Sequence, residues 1–446
     1  MYGYPNSNQP NYPPPQGYGG YGPPQGATYD QSYGSTGPYG NPPSQPPYGV
    51  PPPTNTYGPP GVPYQSGQYI PPPPHNGPSP QPYGVPPSQP WAAPSPYPPS
   101  PIPHPSVAGT TGANPRFLGV NIPSPPPAVP LSNLQGYNAQ FDAERIRKAT
   151  KGFGTDEKSL IDVLAPLDAF QMDVLSRTYE QMVGKSLRKT LEKELSGWVE
   201  YTLVLLSLGP LHGDLHLLER ACKGAGTHED LLTEILLGRT NEEMFFLKEG
   251  FRRLYGKDLI STVKGELSMQ TERMFNMALS GTKDESPYIN QQVIQQDVET
   301  LYRAGPGRIG TDEISVCGIL LSRSDAHLQA IAQQFPQRHR VSLSQMIHSE
   351  FSGHMRDSLL YIAHGAEADG HGVNRDANML EAAMAGVGTK DERMIYRIIR
   401  AHWNRPRFGA IKNQYQVLHG RTLRHRVESE TTGKYEKALV AIIDMN

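Results

Sequence analysis

The feature that most restricts what this chain can fold into is a loop that occurs four times. Its first copy is Lys151-Gly152-Phe153-Gly154-Thr155-Asp156-Glu157. Cys222-Lys223-Gly224-Ala225-Gly226-Thr227 and Met384-Ala385-Gly386-Val387-Gly388-Thr389 repeat it, and Gly305-Pro306-Gly307-Arg308-Ile309-Gly310-Thr311-Asp312-Glu313 is a longer version. The last glycines stand at 154, 226, 310 and 388, at intervals of 72, 84 and 78 residues. An acid follows at a near-constant distance: Glu194, Glu266 and Glu350 lie 40 residues on, and Glu430 lies 42 on. A unit recurring at this period marks stacked structural repeats that bury one another's faces.

One copy already has a chemistry. A glycine that closes a helix turns the chain through left-handed geometry and leaves main-chain carbonyls pointing outward. Thr155 suits the N-cap of the next helix, with Asp156 and Glu157 in its first turn near the positive dipole end. Calcium takes six to eight oxygens, commonly carbonyls with a bidentate carboxylate and waters. The candidate carbonyl donors are Thr150, Gly152 and Gly154; Cys222, Gly224 and Gly226; Gly305, Arg308 and Gly310; and Met384, Gly386 and Gly388. Glu194, Glu266, Glu350 and Glu430 are the candidate carboxylates. Waters left on the ion can give way to a lipid phosphate, which makes the metal a bridge. A capping glycine alone is commonplace; four with a matching acid are not.

These residues carry a family resemblance. From about residue 136 to 446 the chain resembles the annexins, through the four loops, the distant acids and the tails Glu194-Leu195-Ser196-Gly197, Glu350-Phe351-Ser352-Gly353 and Glu430-Thr431-Thr432-Gly433. Gly238-Arg239-Thr240 and Ser322-Arg323-Ser324 also fit the family pattern. The resemblance implies an all-α fold: four annexin-type repeats of about five helices each, forming a curved disc that binds acidic phospholipid through Ca2+ on its convex face. There are departures. The first repeat reads Ala165-Pro166-Leu167 at the arginine motif, and the second has Met269 where the other tails have glycine. The fourth reads Arg400-Ala401-His402-Trp403-Asn404-Arg405-Pro406 at the arginine motif, carries two extra residues before Gly420, and has in Pro406 a residue that would break or start a helix. The interval from Gly420 to Glu430 matches that from Gly184 to Glu194, so the insertion is expected to be absorbed upstream. A weaker fourth site is expected there, with Glu428 as the competing ligand.

Periodicity supports helices throughout. Leu187, Leu191 and Leu195 fall at i, i+4 and i+8, and Val199, Leu203 and Leu206 continue after Gly197. No comparable alternation indicates strands. The expected divisions are a tail and linker over 1–135 and repeats over 136–208, 209–281, 288–366 and 370–446. Residues 281–287 form the connector between halves. Phe153, Ile309 and Val387 stand at the loop tips, where an apolar side chain can dip into lipid headgroups; Ala225 offers too little side chain to decide.

Composition enters with the tail. Residues 1–115 hold one charged side chain, Asp30, and repeat phrases such as Tyr21-Gly22-Pro23-Pro24 and Tyr57-Gly58-Pro59-Pro60. With almost no aliphatic surface to bury, such a segment is expected to be disordered. It reads either as an inert spacer or as a means of self-association or partner recruitment, and the second gives an alternative function: a tail-driven scaffold with the core as its anchor. Residues 116–135 read as an open linker, so a chain beginning near 130 is expected to melt like the whole.

Other functions are disfavoured. The net charge of −2 argues against nucleic acid and against a polybasic membrane anchor. No secretory start and no spanning segment is evident, the longest apolar run being 201–208. Two cysteines, Cys222 and Cys317, suggest a reducing compartment; the expected location is cytoplasmic and peripheral on membranes. His212 and His216 have zinc spacing, but the sequence places no third ligand beside them. Catalytic fingerprints are absent, so an enzyme is not expected.

Overall fold

A computed structural model describes residues 114–124 and 134–445, apart from 153, 224, 225 and 268. The tail expected over 1–113 lies outside the described residues, as does most of the segment read as a linker.

Among the described residues, twenty helices follow one another in four sets of five. The first set is α1 (Ala139–Ala149), α2 (Glu157–Leu164), α3 (Ala169–Val183), α4 (Leu187–Glu194) and α5 (Gly197–Ser207). The second is α6 (Gly209–Ala221), α7 (Glu229–Leu236), α8 (Asn241–Tyr255), α9 (Leu259–Glu266) and α10 (Met269–Ser280). The third is α11 (Gln291–Ala304), α12 (Glu313–Ser322), α13 (Asp325–His339), α14 (Leu343–Glu350) and α15 (Gly353–Ala366). The fourth is α16 (Val373–Met384), α17 (Asp391–His402), α18 (Arg405–His419), α19 (Leu423–Glu430) and α20 (Gly433–Ile443).

Local chemistry sets these limits. The third helix of each set has 15 residues and ends on a residue in left-handed geometry: Gly184, Gly256, Arg340 and Gly420. Asp168 and Thr240 begin two of them with reciprocal capping boxes, closed by Gln171 and Glu243. The two extra residues of the fourth set fall before α18, within a lengthened α17, and Pro406 starts α18 rather than breaking it.

The core joins repeats that are distant in sequence. Helices α2, α5, α17 and α20 pack together, so the first repeat is buried against the fourth. Helices α7, α10, α12 and α15 do the same for the second and third. Leu160, Leu203, Ile395 and Leu439 are fully buried in the first group, as are Leu232, Phe275, Val316 and Leu359 in the second.

A polar seam connects the second and fourth repeats. Asp214 on α6 accepts from Arg239 at 2.5 Å and from Arg400 on α17 at 2.9 Å. Glu234 on α7 accepts from Tyr396 at 2.7 Å and from Arg397 at 3.0 Å. Arg323 makes the matching pair inside the third repeat, with Asp297 at 2.7 and 2.9 Å. In the fourth repeat Arg375 and Arg407 both hold Asp376.

The segment before the helices differs from its reading as an open linker without strands. Two short strands, β1 (Arg116–Phe117) and β2 (Val120–Asn121), pair antiparallel about Leu118 and Gly119, both at positive φ as a tight hairpin turn requires. Phe117 and Ile122 are buried in the core. The Arg239 guanidinium stands 5.3 Å from the Phe117 ring centre, and the Leu118 N–H donates to Glu243 at 2.6 Å. The period-2 signal was too short to register, and the prolines just beyond it dominated the composition.

Two measurements follow from these contacts. Because Phe117 is fully buried, Phe117→Ala should cost about 3 kcal/mol, and a chain beginning at 130 should melt lower than the full chain; equal melting temperatures would show that the hairpin adds nothing. Met269 opens α10 at φ 51, where Gly197, Gly353 and Gly433 open their helices at φ 63, 59 and 70. Relief of that strain predicts that Met269→Gly raises stability by about 1 kcal/mol in thermal unfolding.

Candidate metal sites at four loops

Each loop joins the first and second helices of its repeat. A backbone hydrogen bond closes each one: Asp156 to Ala149 at 2.9 Å, His228 to Ala221 at 3.2 Å, Asp312 to Ala304 at 2.7 Å and Lys390 to Ala383 at 2.8 Å, with the N–H donating to the carbonyl each time. The glycines make the turn possible. Gly152, Gly154, Gly226, Gly310, Gly386 and Gly388 all lie at φ between 79 and 118, geometry that disfavours a side chain.

The N-cap falls one residue later than the sequence suggested. Asp156, not Thr155, caps α2 through the Ser159 N–H, and Asp312 caps α12 through Ser315. Hydrogen bonds from Ser159 and Ser315 hold these two carboxyls below the usual range. His228 and Lys390 occupy the corresponding positions without a side-chain cap.

That leaves the threonine for another task, which sequence reasoning missed. The Thr155 hydroxyl donates to the Glu194 carbonyl at 3.0 Å. Thr227 donates to both the carbonyl and the carboxylate of Glu266, at 3.1 and 2.9 Å. Thr311 reaches the Glu350 carboxylate at 2.9 Å, and Thr389 reaches that of Glu430 at 2.9 Å. The tie explains the spacing: the acid ends the fourth helix, and the threonine fastens that end to the loop. In the third repeat a Cβ added to Gly305 would come 3.1 Å from the Glu350 side chain, so loop and acid are in contact there. The signal was present in the sequence, since a threonine follows the final glycine in all four copies.

The four acids are not equivalent. Glu194 is paired with the exposed Lys193 at 2.6 Å, and that hydrogen bond raises the lysine's pKa. Glu266 and Glu350 are half-buried and held by their threonines. Glu430 also meets Arg426, whose other nitrogen donates to the Met384 carbonyl. Glu428 turns away from the loop to Arg424 at 3.0 Å.

Other donors fall as follows. The Gly305 carbonyl accepts from the Arg308 N–H at 3.2 Å, which uses one of its two lone pairs. Burial pushes the Cys222 thiol up to about 12, so this residue could serve a hard cation through its carbonyl and not as a thiolate. Gly224, Phe153 and Ala225 lie outside the described residues. Ile309 and Val387 project fully into solvent, with relative exposures of 102% and 109%. His216 is half-buried, and burial lowers its pKa. Among the described residues no three His, Cys, Asp or Glu side chains gather to hold a metal. A cation at these loops therefore has to be held mainly by main-chain oxygens with one carboxylate, a donor set that suits calcium.

Comparison with known proteins agrees with this arrangement. The Annexin family model matches residues 141–206, 214–277, 296–362 and 375–442. Annexin C1 of Cryptococcus neoformans var. grubii serotype A is 71% identical over 365 residues, covering 80% of this chain and 77% of that one. Annexin A7 of Homo sapiens is 33% identical over 363 residues, covering 78% of this chain and 73% of that one. The solved structure of annexin III aligns with a TM-score of 0.64 at 30% identity, over 70% of this chain and 95% of that one. Each matched segment contains one loop together with its tied acid, and the chain belongs to the annexin family.

Proposed function

We propose that this annexin docks on membranes rich in acidic phospholipid through the loops of its repeats, the first three each holding calcium between loop carbonyls and the tied glutamate. The family is known for calcium-dependent phospholipid binding and not for catalysis. The observation that carries the finer reading is the threonine tie, which keeps each acid beside a loop 39 residues away in the first three repeats. The first site would use Thr150, Gly152 and Gly154 with Glu194. The second would use Cys222, Gly224 and Gly226 with Glu266, and the third Gly305, Arg308 and Gly310 with Glu350. The corresponding positions in the fourth repeat are Met384, Gly386, Gly388 and Glu430, where Arg426 intervenes. When bound, calcium supplies a positive centre whose open positions accept a phosphate oxygen.

The loop tips add burial. Moving the Ile309 or Val387 side chain out of water is worth roughly 2 kcal/mol each, and Phe153 is assigned the same part from its position in the sequence. No described helix is long and apolar enough to cross a membrane, so attachment through the described helices is peripheral. A cytoplasmic location is proposed from the pair of free thiols.

Replacing Glu194, Glu266 and Glu350 together with glutamine should raise the calcium needed for liposome sedimentation by about tenfold or more, with helical content unchanged. Unaltered calcium dependence in a folded triple variant would remove the carboxylates from the site.

A further inference from the structure

We propose that the fourth repeat carries its own cation: the Arg426 guanidinium occupies the place where the other repeats would hold calcium, and this loop takes none. The inference rests on the calcium reading of the first three loops. Arg426 stands on α19, one turn before Glu430, and its exposure is only 9%. One terminal nitrogen donates to the Met384 carbonyl, the first loop donor, and the other donates to one oxygen of Glu430. Thr389 holds the second oxygen at 2.9 Å. The Arg426 Nε lies 3.4 Å from Glu381, so a second acid on α16 flanks the same guanidinium. Tyr415 and Arg421 keep Glu381 in place.

Both kinds of ligand that calcium would need are therefore engaged with a positive group. Arginine keeps its charge at any working pH, and its planar fork matches a carboxylate and a carbonyl together. A dication approaching Met384 and Glu430 would meet a buried like charge already engaged with the Met384 carbonyl, Glu430 and Glu381. Among the described residues, the other repeats have no buried group of this kind: in the first, Glu194 meets only the exposed Lys193. Four residues before their acids stand Thr190, Thr262 and Met346. The two threonine hydroxyls donate to the N-cap carbonyls of their helices, those of Ser186 and Asp258, and Met346 is buried and neutral. The donor set of the fourth repeat thus does not fit the metal that the family implies. In this reading the Arg426 contacts organise the fourth loop, with the exposed Val387 at its tip.

Hydrogen–deuterium exchange of the full chain, read by mass spectrometry with calcium and with chelator, tests this loop by loop. Calcium should slow exchange in the loops of the first three repeats and leave residues 384–389 unchanged. Arg426→Met, which installs the third repeat's residue, should make the fourth loop respond and add one calcium equivalent in titration calorimetry. Slowing of 384–389 in the unaltered protein overturns the inference, and so does a folded R426M whose fourth loop still ignores calcium. If R426M does not fold, the comparison of loops in the unaltered protein decides alone. No response in any of the four loops would overturn the calcium reading itself and this inference with it.

Discussion

Everything at the loops depends on one short backbone bond, from the second residue after the final glycine to the last alanine of the preceding helix. It closes the loop at its base, which is why the side chain at the donor position can vary among Asp156, His228, Asp312 and Lys390. A main-chain bond asks nothing of the side chain. The third loop is one residue longer between its closing partners, and it takes up the excess with a bond from the Gly307 N–H to the Tyr302 carbonyl. With the base fixed, the threonine next to it can only reach one place, and that place is the end of the fourth helix.

Much of this was legible beforehand because the repeat displays it four times. The loops, the acids and the helical class all follow from spacing that a single copy could not have supported. The interval from Gly420 favours Glu430 over Glu428, and in the fold Glu430 meets Thr389 while Glu428 meets Arg424. What escaped was what spacing does not encode. Thr155 and Asp156 are both good capping residues, and only the folded backbone shows that Asp156 caps while Thr155 faces Glu194. Phe117 lies in a short stretch bounded by Pro115 and Pro123, and the contact it makes with Arg239, more than a hundred residues away, is not encoded locally. Arg426 belongs to no motif in the sequence; its role appears only when Met384 is beside it.

The polar seam is a second organising element. Arg393, Arg397 and Arg400 recur on one face of α17 and meet Asp230, Glu234 and Asp214 of the second repeat. Asp214 and Glu234 are almost wholly buried, so each depends on its arginine: removing one partner of such a pair leaves an uncompensated charge inside the protein. Specific pairing of this kind also fixes register between helices that apolar packing alone would allow to slide. The hairpin turn at Leu118 and Gly119 is fastened to the same region, through Glu243 and Asn404.

The burial of the first repeat against the fourth has a consequence for synthesis. Helix α2 ends at Leu164, and its partner α20 does not begin until Gly433. A ribosome adding roughly 5–20 residues per second leaves the first repeat without that partner for on the order of tens of seconds. During that interval the faces that α2 and α5 later turn to α17 and α20 remain uncovered. The second and third repeats can complete their shared core earlier, because their partners are adjacent in sequence. Assembly should therefore run from the middle of the domain outward, with the last helix acting as the closing piece, and the newly made first repeat is the stretch most in need of a chaperone.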